Sequence, residues 1–190
     1  KSAPLQNTAR PISGEAENCH GAGMFSIPSP SCSEIGWPAI ITGAASHELY
    51  SAREADAGAA SGCALAFVLQ LSRSLPVLWV RHEACDREAG AVYPLGLTEF
   101  GLNPARLIFV RARDVTSALQ AGLEGARCPA LGAVTIELWG ETKVYDLTAS
   151  RRLALAARVS GTRVLVARSA AKPQSSAAET RWQVKAAPSR

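Results

Sequence analysis

The chain has 190 residues, 47% of them apolar and 19% charged, which suits one domain with a substantial core. Its net charge of +4 rests on 20 basic residues, of which only Lys1, Lys143, Lys172 and Lys185 are lysines. So weak and scattered an excess is compatible with an acidic partner but is also what a solvated surface carries. The longest apolar run, residues 63–69, is far too short to span a bilayer, and the start lacks the positive-then-apolar layout of a signal peptide. No membrane segment and a cytoplasmic location are therefore expected. Lys1 in place of a methionine reads as a processed chain, a fragment or an incomplete frame. Five cysteines, an odd number without paired spacing, argue for reduced thiols over a disulfide framework. His82 and Cys85 have a ligand-like gap but lack a second pair, so no metal site is expected.

Residues 1–42 hold five of the eleven prolines, with many serines and glycines and no periodicity. They read as a loosely ordered lead-in without a regular element, its end anchored by Ile35, Trp37, Ile40 and Ile41. Residues 43–190 form the domain. A strand is predicted over 47–52 and an almost wholly apolar helix over 62–73. Pro76 ends the turn before a short continuous apolar strand, VLWV, over 77–80. Asp86 is expected to cap a short helix that Pro94 ends or kinks. Residues 101–104 are turn chemistry, and RLIFVR over 106–111 is a third strand. Asp114 caps a helix whose Val115, Ala118, Leu119, Gly122, Leu123 and Ala126 recur every three or four residues. AVTIEL over 133–138 is a fourth strand. Asp146 or Thr148 opens a helix that Gly161 closes after Ser160. TRVLVA over 162–167 is a fifth strand, and TRWQVK over 180–185 an edge strand. Strands alternating with helical segments predict an α/β fold with a mostly parallel sheet, its ligand loops following residues 52, 81, 111, 138 and 168.

The stretch from His47 to Leu71 has the layout of a phosphate-binding loop: strand, small-residue loop, apolar helix. Set against G-x-x-x-x-G-K-[ST], it reads Ala57-Gly58-Ala59-Ala60-Ser61-Gly62-Cys63-Ala64. Gly62 is kept, Cys63 stands at the lysine, and Ala64 stands at the magnesium-binding hydroxyl. The segment is either a degenerate phosphate loop or simply a small-residue turn before a core helix. A thiol at a helix N-terminus is also drawn toward thiolate, which makes Cys63 a candidate reactive cysteine; the alternative is a small core residue.

Residues 79–138 resemble the central part of the RecA ATPase core: VLWVRHE, YPLGLTEFGLNPARLIFVRA and ALGAVTIEL match successive passages of it. More closely, HELY, VLWV, LGLTEFGLNPARLIFVRARD, DLTASRRLALAARVSGTRVLVARS and SAAETRWQVKAAPS resemble the ImuA family, RecA-like accessory proteins of the bacterial inducible-mutagenesis cassette. The resemblance spans about residues 43–188, with TASRRLALAA and AAETRW its most specific segments. It implies a RecA-like core with a degenerate phosphate loop. Glu83 matches the water-orienting glutamate and Glu137 the Walker B carboxylate.

Without the loop lysine, two carboxylates facing a triphosphate would repel it, at about 4 kcal/mol for one like-charge pair at ~4 Å near a surface. ATP hydrolysis is therefore not expected, nor is a bound ATP or magnesium cofactor. Glu83 and Glu137 read instead as polar strand ends, solvated or paired with an arginine. The RecA DNA-binding loops correspond to residues 139–146 and 169–178. Lys143, Arg151, Arg152, Arg168 and Lys172 are the candidate contacts to single-stranded DNA, too few by themselves for tight binding. The resemblance implies a non-catalytic adaptor in SOS-induced error-prone translesion synthesis. Its partners would be an ImuB-type homologue of Y-family polymerases, an error-prone replicative-type polymerase and RecA. The alternatives are an ATPase whose missing charge comes from Arg53 or a partner, and an independent single-stranded DNA binder.

Overall fold

The computed structural model describes residues 7–11, 43–72 and 74–187. The elements are β1 (Asn7–Pro11), β2 (Ser46–Ser51), α1 (Ala57–Leu71), β3 (Val77–His82), α2 (Glu83–Ala89) and α3 (Pro94–Glu99). They continue as β4 (Leu107–Ala112), α4 (Val115–Ala126), β5 (Ala133–Trp139), α5 (Leu147–Ser160), β6 (Arg163–Ser169) and β7 (Thr180–Ala186). The strands form one sheet in the order β1-β7-β2-β6-β5-β3-β4. All contacts from β7 through to β4 are parallel, and only β1, on the outside of β7, runs antiparallel. The expected parallel α/β architecture is present.

Strand alternation separates two cores. Val164 and Val166 of β6 join Val134, Ile136 and Leu138 of β5 under α4 and α5. Leu165 and Ala167 face the other way, onto Ala60, Cys63, Ala64 and Phe67 of α1. The chain steps out from β2 to β3 and β4 on one side, then returns through β5 and β6, so its helices divide between the two faces as right-handed crossovers require. The Asp114 carboxylate accepts from the Ser117 N–H at 2.8 Å and that of Asp146 from the Ala149 N–H at 2.7 Å, so both expected caps form. Gly161 closes α5 at φ 79°, a left-handed position that glycine takes without strain.

Four local readings need correction. β1 lies within the lead-in expected to lack regular structure, and it covers the outer side of β7, which is therefore not an edge strand. The anchors proposed at Ile35, Trp37, Ile40 and Ile41 lie outside the described residues. Pro94 begins α3 at its N1 position instead of ending a helix, because a first-turn residue has no N–H bond to lose; the preceding helix ends at Gly90 with φ 86°. Asp86 sits inside α2, where its side chain turns to Arg81 and caps nothing.

Candidate functional site

The C-terminal ends of β3, β5 and β6 meet the N-terminal turns of α1 around one buried side chain, Arg81. It extends from the penultimate residue of β3, directly opposite Glu137 of β5. One Nη atom donates to the Glu137 carboxylate, against which it is closely packed, and to Ser61 Oγ at 3.5 Å. Nε donates to Asp86 at 2.6 Å, and the second Nη to the carbonyls of Gly90 at 2.9 Å and Cys85 at 3.3 Å. All five N–H donors of a guanidinium thus have partners. Arg111 joins from the solvent side, its Nε 3.0 Å from the other Asp86 oxygen. Burial lifts the Glu137 carboxyl above its ordinary range, and Arg81 pulls it back only in part.

The cavity left around this group is about 10 Å³, lined by Ala57, Ser61, Arg81, Cys85, Glu137 and Ser169 among others. That is room for about one water molecule, whereas small-molecule sites enclose roughly 300–1,000 Å³.

The residues of the predicted phosphate loop are distributed over α1, which begins at Ala57, five positions earlier than the sequence suggested. No loop of small residues follows β2; a short 3₁₀ turn, Glu54–Asp56, leads straight into the helix. Ala57 and Ser61 reach the Arg81 cavity, while Gly58 is exposed and Gly62 half-buried. Cys63 and Ala64 lie in the second turn and face the core. There burial pushes the Cys63 thiol up to about 12, the opposite of an activated thiolate. The alanines from 57 to 60 are strong helix formers and extend α1 backwards. Glu83 opens α2, half-buried. Glu137 is paired with an arginine, one of the two placements expected for it. Arg81 itself was passed over, although a basic residue ending an otherwise apolar parallel strand was a readable signal.

A second buried polar cluster lies on the α5 face. The Glu48 carboxylate, fully buried in β2, accepts from Tyr145 Oη at 2.6 Å, Tyr50 Oη at 3.1 Å and Arg181 Nε at 3.1 Å. Arg168 stacks on the Tyr50 and Tyr145 rings, at 5.6 and 5.3 Å from their centroids. It was a candidate DNA contact, but at 0% exposure it cannot touch a phosphate. Its position in β6, register-paired with Tyr50 and Leu138, turns it into the sheet's covered face.

Lys143, Lys172, Arg151 and Arg152 are exposed, but they do not form one surface patch with Arg168. The loops carrying the two lysines are tied together: the Lys172 N–H donates to Glu141 at 2.8 Å, Gln174 bonds the Tyr145 carbonyl, and the Ala177 N–H donates to Ser150 Oγ at 3.0 Å. Among the described residues there is no cluster of three metal-ligating side chains, and no helix is long and apolar enough to cross a membrane.

Fold and site together define a parallel α/β protein whose strand-end crevice is filled by its own arginine. No family model matches the chain. Protein ImuA of Caulobacter vibrioides, in strain NA1000/CB15N and in strain ATCC 19089/CB 15, is 36% identical over 160 residues, covering 75% of this chain. The chain is ImuA-like. It spans 60% of the length of these curated relatives. A crystal structure of SulA from Pseudomonas aeruginosa superposes with a TM-score of 0.49 at 19% identity, over 70% of this chain and 99% of that one.

Proposed function

We propose that this chain is a non-catalytic, RecA-like accessory protein of the inducible-mutagenesis response, acting in the cytoplasm through protein–protein contacts. The similarity to ImuA supports the setting. The carrying observation for the absence of catalysis is Arg81, an internal cation held by Glu137 and Asp86 where a phosphoryl-transfer site of this layout would need open space and a mobile lysine. The partners would be an ImuB-type polymerase homologue, an error-prone replicative-type polymerase and RecA, contacted through faces the fold leaves uncovered.

Two such faces support a contact role. Among the described residues β4 is an outer strand, with Ile108 and Phe109 50% and 38% exposed, and Tyr93, Leu95 and Phe100 of the α3 region are exposed as well. An open strand edge with apolar residues is a template for strand addition. The outer side of α5 is the other.

Calorimetric titration of ATP with magnesium into the chain is expected to give no binding at micromolar concentrations. Magnesium-dependent micromolar binding would overturn the non-catalytic reading. Arg81→Ala leaves the Glu137 and Asp86 carboxylates without their cation, so that variant is expected to gain no nucleotide affinity. Co-purification with the polymerase and RecA partners, retained at high salt, is expected for an adaptor.

A further inference from the structure

α5 carries on its solvent side a feature that neither the sheet nor the Arg81 site explains. Its sequence, LTASRRLALAARVS, contains three arginines and no acidic residue. Ser150, Leu153, Ala154 and Ala157 face inward and account for its packing. Leu155 and Val159, one turn apart on the outside, are 62% and 89% exposed. At 3.6 residues per turn, Arg151 and Arg158 flank this pair on one side and Arg152 on the other; all three are exposed. Leu147, 39% exposed, extends the row, so the face runs about 18 Å along the helix.

We propose, building on the adaptor reading, that this face docks an acidic amphipathic helix of a partner protein. Leu155 and Val159 would enter the groove of that helix, and its Asp and Glu residues would meet Arg151, Arg152 and Arg158. The ridge of residues four apart is the geometry with which one helix packs on another. Charge selects the occupant. A second copy of this chain would bring arginines against arginines. A nucleic acid would use the arginines but leave Leu155 and Val159 in water, where the side chains gain nothing. An acidic helix satisfies both parts.

The test places the photo-crosslinking residue p-benzoylphenylalanine at Leu155 of the full chain, in its own cells after DNA damage, and maps the adduct by mass spectrometry. The expected adduct is a protein segment with apolar residues at three- and four-residue spacing flanked by Asp or Glu. Its yield falls by about tenfold or more when Arg151→Glu, Arg152→Glu and Arg158→Glu are combined, and the same probe at Gln120 of α4 does not produce it. These residues are exposed, so an unchanged circular dichroism melt separates lost docking from lost folding. Adducts to a second copy, to a neutral or basic segment, or none above background, overturn the proposal. So does anisotropy with a twenty-nucleotide oligo-dT probe if binding is abolished by the three reversals and unaffected by Leu155→Ser. None of these outcomes bears on the adaptor reading, which nucleotide titration and co-purification decide independently.

Discussion

Arg81 occupies the strand-end crevice together with the groups that neutralise it. Burying its charge is unfavourable unless the partners remain, so removing one exposes the cost. Glu137→Ala, which leaves Arg81 only Asp86 as a close carboxylate, is expected to destabilise the fold by about 3 kcal/mol in urea unfolding, whereas Glu137→Gln, which keeps an acceptor, loses less. Cys63 gives a second test at this scale. With its thiol pushed up to about 12 by burial, it is expected to resist iodoacetamide in the native protein and to react only on unfolding, while the half-buried Cys128 labels before it; peptide mapping distinguishes them. The motif comparison placed Cys63 by letter count alone, and letter count does not say which way a helical residue faces. Arg168 was misplaced for the same reason: a charged letter near a strand end looks exposed until its register against Tyr50 is known. His47 and His82 are both held below the ordinary imidazole value of 6.5, chiefly by burial. Their folded forms therefore stay neutral while the unfolded chain takes up protons as the pH falls. The stability they contribute is complete above about pH 6.5 and is lost on acidification below it. Denaturant midpoints measured from pH 7.5 down to 5 should fall, and His47→Gln should flatten that slope.

Among the elements, those with strong local chemistry were legible. Asp114, Asp146 and Gly161 mark helix ends through bonds and dihedrals that depend on a few adjacent residues. Strands β3, β5 and β6 were legible because strands buried on both faces read as largely apolar runs, continuous in β3 and interrupted by Thr135 and Glu137 in β5. What could not be read was non-local. β1 exists only through pairing with β7, far along the chain, and the onset of α1 followed alanine propensity through a segment where a loop motif suggested a break. The glycines of α4 follow the same division. In sequence they look like weak points of a helix, yet a Cβ at Gly122 would lie 2.2 Å from Ile136 Cδ1, and one at Gly125 2.3 Å from Leu78 Cδ2. They let α4 settle close onto β5 and β3. Gly132 is tighter in a different way, since a Cβ there meets the backbone of Ser72 at 2.6 Å. Gly122→Ala gains helix propensity but meets both Cδ1 and Cγ1 of the fully buried Ile136, at 2.2 and 2.7 Å, so a net loss of about 1–2 kcal/mol is expected. Gly132→Ala meets backbone that cannot rotate away, and a loss of about 2–3 kcal/mol is expected. Thermal melts of the two variants check the order.

At the scale of the whole molecule, the sheet is closed on its faces and asymmetric at its margins. α1 covers one face and α4 and α5 the other, while β1 shields β7 and, among the described residues, no strand pairs with the outer side of β4. A strand so placed presents unpaired N–H and C=O groups, and natural sheets blunt such edges with charge, bulges or covering elements. Here Arg111 and Arg113 stand at one end, yet between Leu107 and Arg111 the edge is Ile-Phe-Val. Phe109 is partly fixed by its tilted contact with Trp79, with ring centroids 6.3 Å apart, so replacing it would disturb the core as well as the edge. Ile108 is the cleaner probe because half of it is already exposed. Ile108→Lys adds a charge to the edge with little loss of packing, and a stability change within about 1 kcal/mol is expected. If β4 accepts strands from other proteins, the same substitution should markedly weaken co-purification with the proposed RecA and polymerase partners. Unchanged co-purification, at unchanged stability, would remove β4 from the contact surface and leave α5 as the face to follow.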